Sequence, residues 1–158
     1  MRYYLIDKVT ELTIGERARG VKCVTLTDEV LHDHFPDYPV LPGALILEGA
    51  SQLSGFLLEM SFNEAGKPLA RALLAQVRDA RFYETTGPGD RLEFEARIES
   101  RLETAAQVAI EVAVDGKRVA RAGLTFVMKA IDSERVHEQR RYLYKLWTRD
   151  LPMSVPIL

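Results

Sequence analysis

The apolar positions of the chain fall into one block that is apolar almost all round and several shorter runs with the composition of strands. Residues 43–60 carry Leu45, Ile46, Leu47, Leu53, Phe56, Leu57 and Leu58, which predicts a helix buried on most sides rather than one lying on a surface. Pro42 marks its first turn, where a missing N–H costs nothing. Four β-rich runs follow, at 70–82, 91–101, 105–114 and 118–130. They are separated by Gly87-Pro88-Gly89-Asp90, by Glu103-Thr104 and by Asp115-Gly116-Lys117, the last a strong hairpin signal.

Upstream, residues 17–26 alternate imperfectly around Ala18, Val21, Val24 and Leu26 and predict a strand, and 5–12 a shorter one. Residues 28–42 hold at most a short helical piece before Pro36, Pro39 and Pro42 forbid regular structure, so they read as an ordered loop. The segment from Asn63 to Pro68 has the composition of a turn. Residues 133–149 place Val136, Leu143, Leu146 and Trp147 near one helical face and Arg141, Lys145 and Arg149 along another, predicting a terminal amphipathic helix. One long buried helix and a series of hairpin-linked strands imply an α+β domain whose antiparallel sheet curls around the helix. The whole chain, 1–158, is expected to form one domain, with a core over 1–131 and a C-terminal helical extension over 132–158.

Composition narrows the function. Hydrophobic residues make up 47% and charged residues 28%, values of an ordinary globular chain. A formal charge of -2 supplies no positive field for nucleic acid. The most apolar stretch is interrupted by Glu48, Ser51, Gln52, Ser54 and Glu59, which excludes a membrane span there. Asp7 arrives too early for a secretory leader, so a cytoplasmic protein is expected. Cys23 is the only cysteine; an intrachain disulfide and zinc sites built on several thiolates are excluded, and Cys23 reads as a small apolar strand residue.

Chemistry concentrates in residues 32–52. Glu48 is the first anomaly, a carboxylate in an apolar helix, where burial disfavours the charged form and so favours a proton donor. Ser51 and Gln52, three and four residues on, share its helical face and are expected to orient it. The competing structural reading is a glutamate paired with a buried arginine or capping backbone amides. His34, in the proline-stiffened loop fourteen residues earlier, is suited to take a proton when neutral. His32 and His34 with Asp33 or Glu48 could alternatively ligate a metal. Gly43, just inside the helix start, admits a close approach to free N–H groups that favour a developing negative oxygen.

These residues carry a resemblance. His34-Phe35-Pro36, Pro39-Val40-Leu41-Pro42-Gly43, Leu45-Ile46-Leu47-Glu48 and Gln52 closely resemble the signature of FabZ-type 3-hydroxyacyl-acyl-carrier-protein dehydratases, which adopt the hotdog fold. Asp79-Ala80-Arg81-Phe82 and Pro88-Gly89-Asp90 look like that family's later strand and turn. The resemblance implies that His34 takes the C2 proton, Glu48 assists departure of the C3 hydroxyl, and the Gly43 N–H polarises the thioester carbonyl, with Gln52 orienting and no cofactor. Glutamate at 48, where related dehydratase-isomerases carry aspartate, implies simple dehydration to a trans-2-enoyl product. It also implies a homodimer with sites shared between subunits, three such dimers commonly associating, and a partner in acyl carrier protein with its 4′-phosphopantetheine thioester. Arg78, Arg81, Arg141 and Lys145 are the candidate docking residues for that acidic partner. Asp37 stands where the family usually has glycine, at a turn whose positive φ aspartate tolerates better than most residues. Two rival functions are a hotdog thioesterase, with Glu48 activating water, and a catalytically silent acyl-carrier-binding subunit.

Overall fold

A computed structural model describes residues 3–158. Six strands form one antiparallel sheet: β1 (Lys8–Thr13), β2 (Arg17–Cys23), β3 (Ala70–Phe82), β4 (Arg91–Arg101), β5 (Ala105–Val114) and β6 (Lys117–Ala130), in the spatial order β1-β2-β4-β5-β6-β3. The helix α1 (Gly43–Phe62) packs against five of the six strands, β2 to β6. Alternation explains the arrangement, since Leu92, Phe94 and Ala96 of β4, Val108, Ile110 and Val112 of β5, and Ala120, Leu124 and Phe126 of β6 turn inward onto the helix. From α1 they meet Leu53, Phe56, Leu57 and Leu58, all at 0% exposure, as an all-round apolar helix requires. This is the expected α+β hotdog architecture.

Element ends differ from the sequence expectation where side chains compete with the ladder. The strand predicted over 17–26 stops at Cys23. There Thr25 N–H donates to the Asp28 carboxylate and Asp28 N–H to the Thr25 carbonyl, closing a turn in place of further pairing. Cys23 is a strand residue, as expected, and sits exposed as the last of β2. β1 begins three residues later than predicted, and the loop over 28–42 contains one turn of 3-10 helix, Glu29–His32.

The helix α2 (Glu134–Trp147) forms as expected and buries Leu143 and Trp147 of the expected face, with Tyr144 and His137 inside where Leu146 is not. His137, Leu143, Tyr144 and Trp147 are buried, whereas Leu146, expected inside, is 42% exposed. Tyr144 and Trp147 lie edge-on to Phe56 of α1, with ring centroids 5.0 and 6.3 Å away. Polar bonding settles the choice of face. The Tyr144 hydroxyl donates to Glu59 Oε2 (2.7 Å), and Arg71 of β3 donates to the same oxygen (2.7 Å) and to His137 Nδ1 (2.9 Å). His137 Nε2 in turn donates to the Ile131 carbonyl (2.8 Å). Burial, and the Glu59 carboxylate beside it, push the Tyr144 phenol well above the usual tyrosine range, which keeps it a donor. Among the described residues no helix is long and apolar enough to cross a membrane.

Candidate active site

The loop before α1 is built by backbone pairing around the prolines. Phe35 and Tyr38 exchange both N–H···O bonds (2.9 Å each), and Val40 N–H donates to the His34 carbonyl (2.7 Å). The turn closes through Asp37 at φ 62°, the left-handed conformation for which aspartate was expected to substitute for glycine. His34 is half-buried and its Nδ1 lies 2.8 Å from the Val40 carbonyl. A carbonyl only accepts, so Nδ1 carries the proton and the lone pair of neutral His34 is on Nε2. The loop thus fixes both ring orientation and tautomer.

Glu48 lies in the second turn of α1 and is half-buried, not buried as expected. Gln52 Nε2 donates to Glu48 Oε1 (3.0 Å) and to the Tyr3 carbonyl (2.8 Å), while Gln52 Oε1 accepts from Leu5 N–H (3.0 Å). One amide side chain therefore ties residues 3–5 to the helix and holds the carboxylate. Ser51, expected to share that task, does not: its hydroxyl is buried without a partner. The glutamate that fits the buried-arginine reading is Glu59, 1% exposed and bonded to Arg71. Burial alone would have pointed to the wrong carboxylate.

Gly43 opens α1, where the first N–H groups have no intrahelical acceptor. A Cβ here would come within 2.9 Å of the Phe82 ring, so packing against β3 also calls for glycine at this position. Phe82 reaches it because β3 carries a bulge between Arg78 and Arg81, with Asp79 at φ 49°.

Among the described residues, Glu48 and His34 fall differently about the clefts near α1. Glu48 and Gln52 open into a cleft bounded by Tyr3, Tyr4 and α2, and His34 is not part of its wall. Neither does His34 line the smaller apolar cleft against Leu41 and Leu45. Among the described residues no three His, Cys, Asp or Glu side chains stand together as a metal site. The candidate docking cations are divided. Arg78 is half-buried over Gly123 with its Nε enclosed, Arg81 is exposed on β3, Arg141 is paired with Glu134, and Lys145 is exposed on α2.

Known proteins resemble this chain in sequence and in fold. Residues 1–123 match the FabA-like domain. The 3-hydroxyacyl-[acyl-carrier-protein] dehydratase FabZ of Bacillus velezensis is 35% identical over 126 residues, covering 80% of this chain and 87% of the relative. FabZ of Bacillus subtilis is 34% identical over the same shares. Among solved structures, the dehydratase heterocomplex ApeI:P of Xenorhabdus doucetiae superposes with a TM-score of 0.66 at 18% identity, covering 87% of this chain and 90% of that one. A Streptococcus mutans protein bound to acetyl CoA superposes at 0.62 and 19% identity, covering 80% and 90%; these two likenesses concern the fold alone.

Proposed function

The chain belongs to the FabA-like family, with FabZ dehydratases as curated relatives, and on that premise we propose how its residues divide the work of removing water from a 3-hydroxyacyl thioester. It is a 3-hydroxyacyl-[acyl-carrier-protein] dehydratase of fatty acid biosynthesis. His34 Nε2 takes the C2 proton, and the electrons of that C–H bond become the C2–C3 double bond as the C3–O bond breaks. Glu48 delivers the proton that lets the hydroxyl leave as water. The Gly43 N–H, at the positive end of α1, donates to the thioester oxygen as negative charge gathers there. Gln52 keeps Glu48 aimed.

The observation that carries this reading is the pair of constraints on the two titratable groups: a carbonyl fixes His34 with Nε2 free, and an amide fixes Glu48. A thioesterase needs the second constraint but gives the first no task. The two groups are brought together in a homodimer in which His34 of one subunit meets Glu48 of the other. β3 supports it, being a sheet edge that exposes Leu73, Leu74, Val77 and Phe82 at 40–47%, an apolar edge that a second copy would cover. Three dimers then associate into a hexamer, and the enzyme works in the cytoplasm on substrates delivered by acyl carrier protein, docked through Arg81, Lys145 and, in part, Arg78 and Arg141.

The test is incubation with 3-hydroxyacyl carrier-protein substrates of graded chain length, read by mass spectrometry for loss of about 18 Da, the mass of the water that this reaction class expels. Release of free thiol in place of that loss would make the chain a thioesterase. No change at any length would make it a silent binding subunit.

A further inference from the structure

Between β3 and β4 the chain runs through Thr86-Gly87-Pro88-Gly89-Asp90, a composition that makes a turn. Pro88 and Gly89 close it, Gly89 at φ 95°, and Asp90 N–H donates to the Gly87 carbonyl (3.1 Å). The Asp90 carboxylate ties the turn across its base by accepting the Gly87 N–H (2.8 Å). Its far side is fastened to buried Val24, just past the end of β2. There Val24 N–H donates to the Asp90 carbonyl (2.9 Å) and Gly89 N–H to the Val24 carbonyl (3.0 Å). Thr86 and Gly87 face a different neighbour, the loop that carries His34.

They meet it through two successive peptide units. A trans peptide is a rigid plane whose C=O and N–H point to opposite sides. In the unit joining Pro39 to Val40, the N–H side donates to the His34 carbonyl (2.7 Å). Its C=O side faces Gly87 so closely that a Cβ at 87 would stand 2.8 Å from the Pro39 oxygen. In the unit joining Val40 to Leu41, the C=O side accepts from His34 Nδ1 (2.8 Å), and the N–H side donates to the Thr86 carbonyl (2.7 Å). Each plane therefore has His34 on one side and the 86–87 backbone on the other, and a shift of the turn reaches the imidazole as a rotation of these planes. Thr86 and Leu41 are both buried, so water does not stand in for their bond. Gly87 is not one of the glycines at positive φ; the close approach, not the backbone angle, is what calls for glycine here.

Resting on the reading of His34 as the base, we propose that Gly87 and Asp90 are positioning residues for the reaction: they hold the 86–90 turn against the two peptide units around Val40, and those units hold the imidazole with its proton on Nδ1 and its lone pair on Nε2. Gly87 acts by lacking a side chain, and Asp90 by fixing where Gly87 stands. The ring state does not depend on what His34 does to a substrate, so the hold and the chemistry are measured apart.

The protein's three histidines supply the experiment with its own references. His34 Nδ1 meets a carbonyl; His137 accepts from Arg71 at Nδ1 and donates from Nε2 to the Ile131 carbonyl; His32 is exposed. NMR of protein with isotope-labelled histidine nitrogens, at about pH 8.5 and so well above the ordinary imidazole value of about 6.5, should show His34 with its proton on Nδ1, His137 with its proton on Nε2, and His32 as a mixture. Gly87→Ala and Asp90→Ala should move His34 toward that mixture while His137 keeps its signals. Both should lower kcat by about 10-fold or more and change KM by about twofold at most, since misplacing a reacting group by about 1 Å costs up to about 100-fold. Asp90→Asn keeps an oxygen for the Gly87 N–H and should restore the ring state and most of kcat. A mixed His34 ring in the wild-type protein overturns the proposal, as does a wild-type ring in Gly87→Ala with His137 intact, or a loss of kcat without a change in the ring. If Gly87→Ala scatters the His137 signals, its fold is lost and the Asp90 pair decides: equal His34 spectra in Asp90→Ala and Asp90→Asn overturn the proposal. If the ring shifts as expected while dehydration is unchanged or never occurs, the hold on the ring stands and only the reading of His34 as base falls.

Discussion

The ring of Phe82 covers Gly43 so closely that a Cβ at position 43 would stand 2.9 Å from two of its carbons. The glycine that opens α1 is thus set by packing across from β3. Gly43→Ala should overpack this contact, costing about 1–3 kcal/mol and lowering Tm by roughly 2–10 °C for a chain of this size. Phe82→Leu in the same chain should recover most of the loss. A thermal melt of Gly43→Ala that matches wild type would remove the packing explanation.

His34→Ala and Glu48→Gln should each lower turnover by at least about 100-fold, as loss of a general base or acid does, with circular dichroism unchanged because both side chains sit outside the core. Near-normal dehydration by either variant would refute the assigned roles.

Mixing His34→Ala with Glu48→Ala subunits tests the shared site. In a random isologous dimer half of the dimers are mixed and half of their sites carry neither lesion, so about a quarter of wild-type activity should return. If native mass spectrometry shows mixed dimers and no activity appears, each site is built within one chain.

Gln52→Leu removes the donor to Glu48 and both backbone bonds to residues 3–5. It should reduce kcat by about 10-fold or more with a smaller effect on KM, since a misaimed acid fails in the transition state. Gln52→Glu keeps the acceptor for Leu5 N–H but repels Glu48, so it should do worse in turnover than in stability. Equal kcat for all three proteins would show that Glu48 needs no help in orientation.

Much of this was legible in the sequence because proline, glycine and histidine carry local information. The loop from His34 to Pro42 needs no distant partner to be read, and Asp37 took up the positive φ foreseen for it. The carboxylates were harder. Glu48 and Glu59 are eleven residues apart, about three helical turns, so they share a face of α1 and look alike in any periodic reading. What separates them is who covers them. Glu59 meets Arg71, twelve residues on, and Tyr144, eighty-five residues on, and no local pattern announces a bond of that separation. The same bond explains why hydrophobicity misplaced Leu146: the interior position went to a phenol that had a carboxylate to meet.

That cluster should dominate stability at both neutral and alkaline pH. Glu59→Ala leaves the Arg71 charge buried without its carboxylate, an injury of about 3–5 kcal/mol, and should lower Tm by roughly 6–20 °C. Tyr144 gives the pH signature. Its folded pKa lies above its unfolded value, so above about pH 10 the unfolded chain binds fewer protons than the native one and stability falls as pH rises. Tyr144→Phe should lower stability at neutral pH and flatten that alkaline decline by up to about 1.4 kcal/mol per pH unit. Parallel slopes in the two proteins between pH 10 and 11 would exclude the phenol as the cause.

Ancestry and mechanics draw different borders in this chain. The match to the family domain ends at residue 123, eleven residues before α2 begins. The forces do not fade there: Phe56 at the centre of the inherited helix is roofed by Tyr144 and Trp147, and Arg71 of an inherited strand is neutralised in concert with His137. A protein cut back before α2 would keep Glu59 and Arg71 and lose Tyr144 and His137, the partners that meet them in the core. The helix past the family match thus serves as ballast for the domain before it, and any other tail in its place would have to answer the buried carboxylate of Glu59 and the buried guanidinium of Arg71.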